Sequence, residues 1–353
     1  MKSTAVAPSN IAFIKYWGRK DEALKLPSNG SISMNLSGLM TTTTVEFDSS
    51  LKEDEITISS SIKDSVIAIR QLAEKQSHGI AASPAAPRND KIINDPKVIA
   101  HLDRVRKLAG ISEKAKVVSE NSFPRGTGLS SSASGFAALT LAATKAAGLE
   151  LSEKELSILA RQGSGSASRS IPDGFTEWLD GNTSEESYAV SLYPPDYWDI
   201  VDIAVILTDQ VKDVSTTEGQ RLAGTSPFFA VRQEKIKDKI VKIKKAIAEK
   251  EFKIFGEITE AEALEMHAVM LTSNPALIYW YPATIIVMKA VQKWRREGLE
   301  CYFTMNTGQN IHIICEEKNA TLVLANVQKL SGVNDVILNH ATQGASTSTD
   351  HLF

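Results

Sequence analysis

The stretch Pro124 to Ala138, PRGTGLSSSASGFAA, constrains this chain more than any other, because glycines and small hydroxyl residues stand between a polar strand-like run and an apolar helical one. Gly126 and Gly128 free the backbone to turn tightly and let a ligand approach where a Cβ would otherwise stand. The small residues after them open a helix whose first N–H groups have no partner inside it and carry the positive end of its dipole. An anionic oxygen is the natural guest of such a terminus. The hydroxyls of Ser130, Ser131, Ser132 and Ser134 can add hydrogen bonds or reach a magnesium ion. The same composition also suits an ordinary capped loop. No Lys-Ser/Thr pair follows the second glycine as a P-loop requires, and the dinucleotide pattern G-x-G-x-x-G is absent here.

At 353 residues the chain can bury a sizeable core, as one large domain or two intimately joined ones. A content of 42% hydrophobic and 23% charged residues is that of a soluble globular protein. The net charge of −3 argues against nucleic-acid binding through a basic surface, so an anionic substrate must be held by a few local cations. Cys301 and Cys315 lie in apolar strand-like runs and read as core thiols, which fits a reducing compartment. The N-terminus lacks the apolar segment of a signal peptide, and no apolar run approaches the ~20 residues that span a bilayer. The expectation is a cytoplasmic protein without membrane or nucleic-acid partners.

Along the chain, Thr4 to Asn10 reads as a short strand leading into a turn, followed by the apolar run Ile11 to Trp17. Lys15 is the one charge inside that run. Such a lysine ordinarily snorkels to the surface. Here Tyr16, Trp17, Gly18, Arg19 and Lys20 follow it, a group of cations and amphipathic rings that suits an anionic ligand. A turn is expected at Asn29-Gly30. TTTTVEF (Thr41 to Phe47) and EITISS (Glu55 to Ser60) alternate as strands of a hairpin or meander. Ile62 to Lys75 reads as a helix, Gly79 to Asp90 as a mobile loop, His101 to Ala109 as a helix and Lys116 to Asn121 as the strand feeding the Gly/Ser loop. Phe136 to Ala147 is a small-residue helix, and Ser152 with Glu155 has the spacing of a capping box.

Further on, ARQGSGSASRS (Ala160 to Ser170) is a second Gly/Ser turn with two arginines, which by itself could be a helix end at Gly163 with solvated cations. The polar segment Asp180 to Glu186 is a plausible boundary between two halves, 1–183 and 184–353. Strands are expected at Ser187 to Leu192 and Ile200 to Leu207. In KDVSTTEG (Lys212 to Gly219), Ser215 and Thr216 could cap a helix or touch phosphate. Ile236, Ile240, Ile243 and Ile247 mark an amphipathic helix with a lysine face. Glu260 to Leu271 and Pro282 to Trp294 are further helices, with His267 read as structural. CYFTMNTGQNIHIIC (Cys301 to Cys315) forms two strands joined at Gly308. No internal repeat or low-complexity tract is evident.

Two of these stretches carry a resemblance. Pro-x-x-x-Gly-Leu-x-Ser-Ser is similar to the ATP-binding motif of the GHMP superfamily of small-molecule kinases, and APSNIAFIKYWGRKD (Ala7 to Asp21) resembles the N-terminal signature N-I-A-x-x-K-Y-W-G-K of the diphosphomevalonate decarboxylase family within it. The family runs A-R-x-G-S-G-S-A-C-R-S and K-D-V-S-S-T-x-G match Ala160 to Ser170, with Ser168 for the cysteine, and Lys212 to Gly219. The resemblance implies an α+β GHMP kinase fold, two intimately joined α/β halves with the active site in the cleft between them, and a homodimer. It implies ATP and Mg2+ as cofactors and phosphorylated mevalonate as the small-molecule partner. ATP would phosphorylate the 3-hydroxyl of mevalonate 5-diphosphate or 5-phosphate, and loss of that phosphate with CO2 would yield the isopentenyl product.

The resemblance also assigns residues. Pro124, Gly126, Gly128, Leu129, Ser130, Ser131, Ser132 and Ser134 would bind ATP. Arg169 would grip the substrate carboxylate, for which a guanidinium fork is suited. Ser164, Ser166, Ser215 and Thr216 would line the substrate pocket with Tyr16, Trp17, Arg19 and Lys20, and Tyr16, Arg19 and Lys20 lie nearest the distal phosphate. Lys15 would stabilise charge near the transferring phosphoryl group. The family's catalytic turn reads T-x-D-A-G-P-N, and here Asn306 stands at its aspartate, Thr307 at its alanine and Gln309 at its proline. Three differences in four residues read as natural divergence. An amide can orient a hydroxyl but cannot accept its proton, so a 3-kinase without decarboxylation, a decarboxylase of an already 3-phosphorylated mevalonate and a silent binding protein stand beside the main expectation.

Overall fold

Strand β1 (Lys2–Ile14) runs unbroken through the segment expected to turn after Asn10. The computed structural model, which describes residues 1–60 and 95–353, shows why. β1 pairs antiparallel with β4 (Ser31–Asp48) along its length, and register shifts between Pro8 and Ser9 and between Ala12 and Ile14 absorb its irregular positions as bulges. A small ribbon of β2 (Arg19–Asp21) and β3 (Leu26–Pro27) separates them in sequence. The helix expected at 62–75 and the loop expected at 79–90 lie outside the described residues.

TTTTVEF and EITISS form strands but neither a hairpin nor a meander. β6 (Lys114–Asn121) lies between them, antiparallel to β4 and parallel to β5 (Glu55–Ser60). Alternation within a run fixes its faces, not its neighbour, and a parallel pair requires a long crossover. Helix α1 (Pro96–Ala109) belongs to that crossover. It starts earlier than the His101 expected, because Asp95 accepts a bond from the Lys97 N–H and Pro96 fits the first turn. β7 (Phe175–Trp178) pairs with β4, β8 (Ala189–Tyr193) with β7, and the C-terminal β13 (Ser346–Ser348) with β1, completing a seven-stranded sheet. The division expected at 183/184 falls in the turn between β7 and β8.

The second sheet is antiparallel, with β10 (Tyr302–Thr304), β11 (Ile311–Glu316), β9 (Ile200–Ile206) and β12 (Asp335–His340) in that order. Helix α2 (Ser131–Ala146) packs on β1 and β4 through the fully buried Ala137, Ala138, Ala142 and Ala143, whose size permits close approach. Ser152 and Glu155 close the expected capping box of α3 (Glu153–Gly163). The short α4 (Thr216–Leu222) and the long pair α5 (Phe229–Ala248) and α6 (Phe252–Leu271) follow, then α7 (Pro282–Arg296) and α8 (Glu317–Val327).

One apolar core joins the two sheets. Ile11, Phe13 and Met34 from the first share it with Val205 and Ile313 from the second, and the Phe255 ring of α6 meets Phe13 edge-on at 4.7 Å. Each such fully buried side chain stabilises the fold by about 1.5–3 kcal/mol, so neither half is independent of the other. The architecture is α+β, as expected. Cys301 and Cys315 are buried, unpaired thiols, and burial pushes Cys301 up to about 12. Among the described residues no helix is long and apolar enough to cross a membrane.

Candidate active site

The Gly/Ser loop meets the turn 305–310 backbone to backbone. Gly128, at φ +95°, leaves room only for the Gly308 backbone, since a Cβ on Gly128 would lie 2.8 Å from the Gly308 Cα. Ser130 then adopts the left-handed region at φ 58°, unusual for a residue other than glycine. Its hydroxyl accepts a bond of 2.9 Å from Asn306 Nδ2. The strained serine is thus tied to the turn that carries Asn306. Ser131 and Ser132 occupy the first turn of α2, with their backbone N–H groups in the anion-binding position.

Gly128, Ser130, Ser131 and Ser132 line a cavity of about 470 Å³ with Lys15, Tyr16, Arg19, Arg169, Lys212 and Asn306. The bulge at the end of β1 turns the Lys15 side chain inward, and only 2% of the residue is exposed. Nζ donates to the Ala12 carbonyl at 2.6 Å and to Asn306 Oδ1 at 3.3 Å. Burial holds this amine well below the usual lysine range, with Arg169 and Arg232 adding to the effect and Glu262 and Asp202 opposing it. Arg169, from the 3-10 turn Gly165–Ser170, is 4% exposed and donates to Asn10 Oδ1 at 2.9 Å and to Ser31 Oγ at 2.6 Å. Its Nε is buried without a partner, and burial lowers the group to about 10.

Among the described residues no carboxylate bonds Lys15 Nζ or the Arg169 guanidinium. The nearby Glu262 is already taken by Arg232, by Lys239 and by the Lys15 backbone N–H. The Arg169 guanidinium and the Lys15 amine, two buried basic groups held only by neutral acceptors, form a receptor for an anion. Lys212 adds a third, bonding Thr216 Oγ1 at 2.6 Å and the Thr307 carbonyl at 2.5 Å, with burial lowering it to about 8.

Tyr16, Arg19, Ser164, Ser166, Ser215 and Thr216 also line the cavity. Arg19 reaches it while donating to the Tyr16 hydroxyl at 2.9 Å and pairing with Glu22 at 2.7 Å. Ser215 caps α4 by accepting from the Glu218 N–H, and Thr216 holds Thr307, so both sit at the wall through structural bonds. Five expected residues do not line it. Trp17 is buried in an apolar cluster with Met266, Met270 and Leu277. Lys20 turns outward to Asp180 and the Gly181 carbonyl. Pro124 and Leu129 frame the loop, the Leu129 carbonyl accepting from Ser9, and Ser134 is buried against Thr41.

Of the two arginines in ARQGSGSASRS only Arg169 faces the cavity, because Arg161 is consumed by the Leu24 and Ser184 carbonyls. Gly163 is the last residue of α3 rather than a left-handed cap, and it must be glycine because the Phe136 ring occupies the space of a Cβ there. His267 is structural, as read from the sequence. Burial lowers it to about 3, so the ring is neutral and its Nε2–H donates to the Asn306 carbonyl at 3.1 Å. The sequence reading passed over Asn10, Ser31, Lys212 and Glu262. Asn10 carried a signal, an amide on a strand of apolar neighbours, which must find partners once buried.

Two family models cover the chain, the diphosphomevalonate decarboxylase-like N-terminal domain over residues 7–189 and the mevalonate 5-diphosphate decarboxylase C-terminal domain over residues 202–351. The chain belongs to the diphosphomevalonate decarboxylase family. It is 34% identical over 339 residues to a diphosphomevalonate decarboxylase of Candida albicans, covering 94% of this chain and 88% of that one. It is 30% identical to the phosphomevalonate decarboxylase of Haloferax volcanii, covering 92% and 91%. A solved structure of MDDEF in complex with MVAPP, AMPPCP and magnesium is 34% identical over 99% of both chains, with a TM-score of 0.84. The fold of this diphosphomevalonate decarboxylase family member is therefore the GHMP kinase fold expected from its Gly/Ser loop.

Proposed function

We propose that the chain catalyses the ATP-dependent decarboxylation of a 5-phosphorylated mevalonate to isopentenyl phosphate or diphosphate, with the 5-diphosphate as first substrate and the 5-phosphate as second. The observation that carries this reading is the buried Arg169 guanidinium, held by neutral acceptors beside the buried Lys15 amine in the cavity at the α2 N-terminus. The curated relatives named for the diphosphate and the monophosphate support both substrates. The complex with MVAPP, AMPPCP and magnesium supports a ternary site.

Arg169 would fix the carboxylate, its charge left intact because Asn10 and Ser31 are neutral. Gly126, Gly128 and the first N–H groups of α2 would take the nucleotide phosphates. An adjoining apolar cavity of about 450 Å³, lined by Val98, Val117, Leu139 and Phe136 and sharing Ser131 and Ser132, suits the base. The Ser131 and Ser132 hydroxyls suit magnesium carried on the nucleotide, since among the described residues no group of three histidine, cysteine or acidic side chains could hold it alone. When bound, the ion neutralises charge on the phosphate oxygens. Lys15 would sit beside the transferring phosphoryl group, and Tyr16 and Arg19 toward the distal phosphate.

Asn306 favours a second reading, a 3-kinase that stops after phosphoryl transfer, because it leaves the turn without a carboxylate. The family's oligomeric habit supports a homodimer, and two buried unpaired thiols support a reducing cytoplasm. The test of the reading is paired ADP and CO2 release with Mg-ATP on mevalonate, its 5-phosphate and its 5-diphosphate. Turnover on a 5-phosphorylated form and not on mevalonate is expected; turnover on mevalonate alone, or on none, would overturn it.

A further inference from the structure

We propose that Lys15 takes the hydroxyl proton in this chain, acting as the general base that the family's aspartate would otherwise supply. The inference deepens the functional reading above and rests on it. A neutral amine has two N–H bonds and one lone pair. Ala12 O and Asn306 Oδ1 account for both N–H bonds, and the lone pair is left for the cavity that Lys15 lines.

The orientation of the Asn306 amide is fixed by its other end. Nδ2 donates to Ser130 Oγ at 2.9 Å and to the Asn10 carbonyl at 3.4 Å, and a flipped amide would set Oδ1 against that carbonyl and Nδ2 against the Lys15 donors. An aspartate at 306 would place a negative charge on Lys15 and keep it protonated. The same replacement that removes one base thus releases another, 3.3 Å away.

The groups facing Lys15 are Glu262 and His267 on α6, Arg232 on α5, Asp202 on β9 and Arg169 on the 3-10 turn. Glu262 is spent on Arg232 and Lys239, Asp202 is bonded to His312, and His267 is neutral. Burial and the Arg169 charge therefore prevail, and the amine is held well below the usual lysine range.

In the step proposed, the substrate hydroxyl gives its proton to Nζ and its oxygen forms a bond to the γ-phosphorus of the bound nucleoside triphosphate. The bond from that phosphorus to the β-phosphate oxygen breaks, and its electron pair leaves with the diphosphate. The resulting ammonium then sits beside the transferred phosphoryl group and later returns its proton to solvent.

The experiment pairs two readouts. The lysine side chains are labelled with 13C at Cε and titrated by NMR in the natural chain and in Asn306→Asp, with the Lys15 signal assigned by its loss in Lys15→Met. ADP release is followed over the same pH range, and also in Lys15→Arg. The expected result is a Lys15 signal that titrates below the usual lysine range in the natural chain and more than about one pH unit higher in Asn306→Asp. Lys15→Arg should lower ADP release about 10²–10⁴-fold, the usual worth of a positioned base. ADP formation with Lys15 protonated through pH 9, or with equal Lys15 midpoints in both chains, overturns the base role and leaves the functional reading standing. A low-titrating Lys15 with no ADP from any mevalonate derivative overturns the functional reading, and the base role with it.

Discussion

Arg169 shows how one residue's role depends on the neutrality of its partners. Its guanidinium is fixed in a buried position by an amide oxygen and a hydroxyl, at 2.9 and 2.6 Å, with a further N–H left unpaired. Lysine at this position would keep the charge and lose the planar fork. Arg169→Lys should raise KM for the mevalonate substrate about 10- to 100-fold, the worth of one charge-assisted hydrogen bond, and steady-state kinetics would check it. The sequence named Arg169 through its motif and named neither Asn10 nor Ser31. Their contacts join residues more than a hundred positions apart, and no local pattern encodes such a pairing. Lys20 failed for the opposite reason. It belongs to the right motif, but the strand geometry of β2 sends it to Asp180 on the outer surface.

At the scale of elements, two neutral histidines act as clamps. His101 of α1 donates through Nε2 to Thr140 of α2, whose own hydroxyl is committed to the Phe136 carbonyl, and His267 of α6 holds the turn 305–310 by the Asn306 carbonyl. Burial lowers both to about 3. An unfolded histidine titrates near 6.5, so below that pH the unfolded chain binds more protons than the folded one. Stability is fully present above about pH 6.5 and falls as pH drops toward 3. Thermal melts should show Tm falling between pH 7 and pH 5, and His101→Gln, which keeps a donor but cannot charge, should flatten that slope while lowering Tm at pH 7 by no more than a few degrees. The elements themselves were largely legible, since the capping box of α3, the isoleucine face of α5 and the strands flanking the turn all follow from local periodicity. The parallel pairing of β5 was not, because alternation does not specify which edge a strand joins.

Across the whole molecule, the C-terminus returns to support the site. β13 pairs with β1, the Ala345 N–H donates to the Ser170 carbonyl at 2.9 Å, and the Gly344 N–H donates to Asp173 at 2.7 Å. These bonds buttress the turn that presents Arg169. A chain ending at Ala341 should melt several degrees lower and show a larger loss in KM for the mevalonate substrate than in kcat, as calorimetry and kinetics would show. The shared core of the two sheets holds both halves of the cavity in one body. The central claim is that this cleft completes a decarboxylation with an amide at position 306. The most direct measurement is the ratio of CO2 to ADP released from mevalonate 5-diphosphate with Mg-ATP. One CO2 for each ADP is the expected result, whereas ADP without CO2 would contradict the account and leave a kinase.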